Sequence, residues 1–413
     1  MKNIFIATFI FICISCSENT KVVNISSISE NKDIYVVDID KIVKEDVINM
    51  SDYFKSVTTI ILETTDDCLI GEIKTLRVLD DFIVITDSKV TESVFIFDKT
   101  GKFLQKIGSK GQGPGEYYSI ESSSIDFDKK EIYLLDFYDN QIYKYNIETG
   151  VFINSVKISA KGISISHLQY IDNKIYSSAC PDLKGENSYL LQEVEINTGK
   201  QLAAFLKASE YNFGWNDLYD RTEGFFYPND KGEAKYVQMF MDTIISINKD
   251  GIKPYLVIKS KNWITKKDIR DLIESFTKGD SKSTHNILFE RNISYCINRY
   301  FESGNIIYFQ YKNKEENEMP KMEVVIYDKE TNMARTSEIF KDDLVYKGYR
   351  MLFHDFAYAD DKGVYNYIES YQIPSFLNNV LSKGELKLSS DVQERLMELS
   401  EDSNPIIFYY ERK

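Results

Sequence analysis

Cysteine is scarce in this chain, with five in 413 residues, and three of those (Cys68, Cys180 and Cys296) lie scattered beyond the first sixteen positions. That spacing gives neither a disulfide framework nor a CxxC metal pair, so the three read as buried thiols. Histidine is scarcer still, at His167, His285 and His354. Proline occurs seven times, and no apolar run after residue 14 is long enough to cross a bilayer as a helix. Basic residues are outnumbered, 50 against 64 acidic, for a net charge of −14. Such a chain lacks the clustered Lys and Arg that a nucleic-acid partner requires. What it has in quantity is aromatic: 29 Tyr and 25 Phe, residues that favour strands.

The first residues differ from the rest. Met1-Lys2-Asn3 is followed by an apolar run from Ile4 to Ile14, broken only by Thr8. Its length and basic flank suit a signal-peptide core over residues 1–15. The run ends Cys13-Ile14-Ser15-Cys16, which resembles the lipobox of bacterial lipoproteins with Cys13 at the usual leucine position. The resemblance implies lipid attachment at Cys16, and through it the membrane as a partner. With no aspartate after Cys16, it points to the outer rather than the inner membrane, leaving the periplasmic and surface faces both open. Residues 16–51 are polar with short apolar runs and read as a lipidated stalk, ahead of one domain over 52–413.

Within that domain one pattern recurs. An alternating run ends in Asp or Asn, a turn follows, and a second run begins: Val94–Asp98 before Gly101, Ile142–Asn146 before Gly150, Val194–Asn197 before Gly199, and Ile244–Asn248 before Gly251. Val324–Asp328 follows the same rule with Asn332 in the glycine's place. Gly and Asn tolerate the left-handed backbone of such turns. The four glycines lie 49, 49 and 52 residues apart. A period near 50 with about four short strands per copy predicts a β-propeller. Five hairpins are visible. A sixth blade assembles from both ends, with Arg350–Tyr358 and Gly363–Ile368 inside, then Pro405–Tyr409, and Val57–Leu62 outermost. The expected fold is therefore all-β, a six-bladed propeller closed by strands from both termini. Two helical insertions are expected: Trp263–Phe276, N-capped by Thr265 with Asp268 three residues on, and Ser390–Ser400, with Ser390 and Gln393 as a capping box.

The segment from Phe97 to Tyr117 carries Gly108, Gly111, Gly113, Pro114, Gly115, Glu116 and Tyr117. With Leu62–Gly71 before it and Asn404-Pro405-Ile406-Ile407 near the end, it resembles the signature of a family of bacterial six-bladed propeller lipoproteins related to NHL-repeat propellers. The resemblance implies fold and export, and little about activity. The glycine-rich loop lacks the Gly-Lys-Ser/Thr ending of a phosphate-binding loop and opens no helix, so it reads as a structural link between blades one and two.

The chain has no Gly-x-Ser-x-Gly elbow. Asp87, Asp126 and Asp136 have a simple role at strand ends. The expected function is a non-enzymatic binding module for a glycan, a peptide or an envelope protein. Tyr211, Trp215 and Tyr219, in an irregular stretch between blades three and four, are the candidate ligand-stacking residues. The other reading is an envelope hydrolase or lyase with zinc or calcium on the propeller axis, held by His167, His354 and Asp355. No cofactor is expected under the first reading.

Overall fold

The computed structural model describes residues 21–23, 34–158, 164–180, 189–207, 224–238, 240–277, 291–315, 318–347 and 356–413. Six radial sheets make a six-bladed propeller. Blade one comprises Thr75–Val78, Phe82–Asp87, Ser93–Asp98 and Phe103–Ile107, and blade two runs from Ser122 to Lys157. Blades three, four and five span 164–207, 225–259 and 293–337. Each is an antiparallel meander whose first strand is innermost. Blade six pairs Tyr358–Asp360, Gly363–Ile368 and Ile406–Arg412 with Phe54–Ile61 outermost. The ring thus closes with strands from both ends, as expected, and opening it would break seven register pairs between Phe54–Ile61 and the C-terminal strand.

The hairpins that set the period are present. Gly101, Gly150, Gly199, Gly251 and Asn332 all have positive φ, between 56° and 118°. The side chain that closes each strand accepts from turn amides: Asp98 from Thr100 and Lys102, Asn146 from Thr149, Asp328 from Glu330 and Thr331. In the third copy Glu195, two residues before Asn197, takes this role.

Apolar side chains on alternate positions pack blade against blade. Leu76 and Val78 of blade one meet Tyr358, Tyr365 and Ile407 of blade six. Val84, Val94 and Ile96 meet Ile132, Leu134 and Tyr145 of blade two. Burial of these faces is the main stabilising term, roughly 25 cal/mol per Å² of apolar surface.

Residues 34–51, expected to complete a stalk, lie on the propeller instead. Lys21–Val23 pairs in parallel with the outer strand of blade three, and Tyr35–Asp38 with that of blade four. Lys44 bridges to Thr336 of blade five, and Ile48–Asn49 pairs with Phe340–Lys341 just after it. The N-terminal segment therefore visits the perimeters of blades three, four, five and six in order. The physical reason is edge protection: each outer strand offers unpaired amides and carbonyls, and this segment satisfies them. Arg335 fastens it with two hydrogen bonds of 2.7 Å to Glu45 and a third of 2.7 Å to Asp52.

The first helix spans Lys266–Thr277, starting three residues later than expected. Thr265 and Asp268 form the reciprocal cap: the Asp268 amide donates to Thr265 Oγ1 at 3.2 Å and the Thr265 amide to Asp268 Oδ2 at 2.9 Å. The second expected helix spans Ser390–Met397, but its N-cap is Ser389 and no side chain caps it, and an unexpected helical segment, 370–381, precedes it. Gln393 turns back to the Leu388 carbonyl at 2.6 Å, so the expected Ser390–Gln393 box is not formed.

Candidate functional site

The innermost strands converge on the axis, and their side chains leave a cavity of about 510 Å³. All six blades line it. That volume lies in the usual range for small-molecule sites, and its wall is mixed, with eight Phe and Tyr rings beside ten charged residues.

One sector of the wall is electrostatically closed. Glu302, near the end of blade five's inner strand, accepts from Tyr255 at 2.7 Å, from Tyr300 at 2.8 Å and from Lys329. Lys235 of blade four, only 4% exposed, lies 3.7 Å from the same carboxylate, 2.9 Å from Glu233 and 4.0 Å from the Tyr255 ring centroid. Burial pushes the Glu302 carboxyl up, but Lys235 and Lys329 outweigh it and hold it below its ordinary value. A carboxylate that already has this many donors is a rigid strut. Nearby, Lys231 pairs with Asp361, and Asp360 accepts from the amides of Lys362 and Gly363 at 2.8 and 2.9 Å.

Blade one's sector differs. Alternation sends Leu76 and Val78 into the core against blade six, while Thr75 reaches Ser123 of blade two at 3.0 Å. Arg77 shares Thr75's face and lines the cavity. Among the described residues its one hydrogen bond goes to the carbonyl of Leu76, at 2.8 Å. Burial pulls the guanidinium down to about 10, with neighbouring Tyr358 acting the other way. It remains a cation at neutral pH. Tyr358, on blade six's inner strand, is 5% exposed, and its hydroxyl has no partner among the described residues.

Of the expected metal residues, His167 lines the cavity, next to a register shift in blade three's first hairpin. Its ring meets Phe225 edge-on at 5.0 Å, and its Nδ1 is 3.4 Å from Ser178 Oγ. His354, Asp355 and His285 lie outside the described residues, as do Tyr211, Trp215, Tyr219 and Cys16. Among the described residues no three His, Cys, Asp or Glu side chains cluster as metal ligands. Asp126 is held in a turn by the amides of Asp128 and Lys129. Asp87 accepts five amides around the link between blades six and one, and Asp136 accepts those of Tyr118, Ser119 and Tyr138. All three aspartates are therefore strand-end anchors.

The glycine-rich loop links blades one and two. Glu116 Oε2 accepts the Gly113 amide at 2.7 Å, the Tyr117 hydroxyl donates to the Glu92 carbonyl at 2.9 Å, and Tyr145 donates to the Gly115 carbonyl. At Gly108, a Cβ would stand 2.6 Å from the Tyr117 ring. The loop turns its polar groups on itself.

Sequence reasoning missed Arg77, Tyr358, Lys235 and Glu302. The available signal was an arginine inside the strand Thr-Leu-Arg-Val and a lysine inside Ala-Lys-Tyr-Val, charges within strands whose neighbours are apolar. A second feature was also missed. Tyr118, Phe137 and Tyr138 stand 41%, 41% and 76% exposed around Asp136 at one rim of blade two.

The family model described as a domain of unknown function, DUF4934, matches residues 34–411. The chain belongs to this family. No curated protein matches the sequence. The DUF4934 fold is shared with solved structures. A Bacteroides fragilis protein whose name calls it exported is 17% identical, with a TM-score of 0.66 over 95% of this chain and 100% of that one. A DUF4221-family protein of Bacteroides vulgatus is 11% identical, with a TM-score of 0.50 over 86% of this chain and 98% of that one. At these identities the likeness concerns the fold alone. The DUF4934 match begins at Ile34, so the family unit includes the segment that wraps blades four to six. No helix among the described residues is long and apolar enough to cross a membrane.

Proposed function

We propose that this DUF4934 protein is an exported lipoprotein that binds a small ligand in the axial cavity of its propeller and does no chemistry on it. In this reading residues 1–15 are removed, Cys16 carries the lipid, and the perimeter segment holds the propeller close to the outer membrane. The loop Gly108–Tyr117 supports kinship with NHL-type propellers. The observation that carries the binding function is the cavity, a site of about 510 Å³ to which every inner strand contributes. A pocket built on six rigid strands is pre-organised, which lowers the entropic cost of capture. Its ionisable groups are mostly spent on each other, as Glu302 with Lys235 and Lys329, which favours holding over proton transfer.

The test is calorimetry of the purified chain against mono- to trisaccharides, amino acids and short peptides. Ala357→Trp, which places an indole in the cavity wall, serves as the control. Saturable one-to-one binding that disappears in A357W, with an unchanged circular dichroism spectrum, is the expected result. Binding that survives the filled cavity, or turnover of the bound molecule, would overturn the reading. Glycan binding that survives A357W would instead point to stacking on the exposed rim of Tyr118, Phe137 and Tyr138.

A further inference from the structure

We infer that the cavity's ligand bears an oxyanion, a carboxylate, phosphate or sulfate group, and that Arg77 and Tyr358 are the residues that recognise it. This rests on the cavity reading above and names the class of ligand.

The argument begins with unequal pairing in one wall. Lys231, Lys235 and Lys329 each meet a carboxylate, so the charge in their sector is already compensated. Arg77 meets none among the described residues: its hydrogen bond there, to the Leu76 carbonyl, uses one of five N–H donors. A half-buried guanidinium without a counter-charge among the described residues lowers stability. Its planar fork matches the two oxygens of a carboxylate or the edge of a phosphate or sulfate, and pairing there is strongest where water is excluded.

Tyr358 supplies the second observation. It sits on the neighbouring blade's inner strand, also lines the cavity, and its buried hydroxyl donates to nothing among the described residues. Burial and the acids Asp230 and Asp360 keep that hydroxyl protonated, so it can only strengthen an anion site as a donor. Two idle donors, one cationic and one neutral, thus face one cavity from adjacent blades. Lys74, exposed just before the strand that carries Arg77, adds a second cation at the cavity wall. The Glu302 cluster holds the acidic groups of the opposite sector in fixed pairs, which keeps them from competing for Arg77.

The experiment is a thermal melt of the purified chain in sulfate and in inorganic phosphate, against chloride at equal ionic strength. Calorimetry with glucuronate and with glucose accompanies it, and the variants are Arg77→Gln, Arg77→Lys, Tyr358→Phe and A357W. Beyond the general stabilisation that excluded sulfate and phosphate give any folded chain, wild type should melt about 2–4 °C higher in the oxyanions, and glucuronate should bind where glucose does not. Arg77→Gln should abolish both effects while melting no lower than wild type in chloride, because it removes an unpaired cation. Arg77→Lys should bind weakly, and Tyr358→Phe should lose about tenfold. Equal responses of wild type and Arg77→Gln, including no response in either, would overturn the assignment. Glucose binding as well as glucuronate, with A357W inactive toward both, would overturn the anion while leaving the cavity reading intact. An oxyanion effect that survives A357W would instead remove the cavity reading.

Discussion

The side-chain amide of Asn404 donates to the carbonyl of Cys68 at 2.8 Å across 336 residues of chain. The same nitrogen reaches the Glu63 carbonyl at 2.6 Å, and Asn404 Oδ1 accepts the Ile70 amide at 2.9 Å. Asn404 is 1% exposed, and Cys68, fully buried, turns its thiol to the Glu63 carbonyl. These contacts join the turn after the outermost strand of blade six to the approach of the strand it closes on. Asn404→Ala should therefore lower unfolding stability by about 2–4 kcal/mol, since it leaves several buried backbone groups unpaired. Urea denaturation would show it as a lower midpoint at unchanged slope. A change under 0.5 kcal/mol, the scale of a surface substitution, would mean that the closure does not depend on this staple.

That contact also explains what was readable in the sequence. Leu62–Gly71 and Asn404–Ile407 attract attention separately as parts of one signature, and only ring closure makes them neighbours. The blade period was legible because Gly101, Gly150, Gly199, Gly251 and Asn332 each meet a local backbone demand that few residue types satisfy. The perimeter strands were not legible. Lys21–Val23 and Tyr35–Asp38 are three and four residues long, and parallel pairing on an outer edge leaves no periodic trace. Arg77 was hidden for a related reason. In Thr-Leu-Arg-Val, alternation separates a polar from an apolar face, but only the ring turns the polar face toward an enclosed axis.

Glu369 gives a pH signature. Its carboxyl is 6% exposed, accepts the Ile73 amide at 3.1 Å, and leaves Oε2 without a partner among the described residues. Burial, with Glu72 and Asp87 nearby and Lys89 opposing, pushes it up to about 7. Burial likewise pushes Asp342 up to about 6, against the hydrogen bond from Tyr410. In both cases the folded state holds its proton at a pH where the unfolded chain has released it. Stability must then fall as pH rises from about 4.5 to 7, through the span between unfolded and folded values. Glu369→Gln keeps the acceptor and removes the charge. It should gain about 1–2 kcal/mol at pH 8 and nothing at pH 4. Denaturation curves at the two pH values check this, and an equal effect at both would show that the charge is not responsible.

The N-terminal segment supplies the last prediction. Beyond Lys44 its contacts are the pairing of Ile48–Asn49 with Phe340–Lys341, Ile48 and Met50 fully buried in the core, Arg335 bound to Glu45 and Asp52, and Ser51 bound to Asp343 at 2.9 and 2.6 Å. Lys21–Val23 and Tyr35–Asp38 contribute backbone pairing to blades three and four, and from residue 34 on the side chains that pack are Val37 and Ile39, with Tyr35 and Ile42 partly buried beside them. Removing residues 1–46 should therefore leave blade six closed, because Phe54–Ile61 remains, while uncovering the outer edge of blade four. Tyr35–Asp38 covers Leu256–Lys259 of its outer strand, and that edge, once freed, is a template for another chain. The truncated protein should keep its strand content by circular dichroism but associate with rising concentration in analytical ultracentrifugation. Arg335→Ala in the full chain should give a weaker form of the same behaviour. A monodisperse truncation as stable as the full chain would show that the segment only passes over the blades and protects nothing.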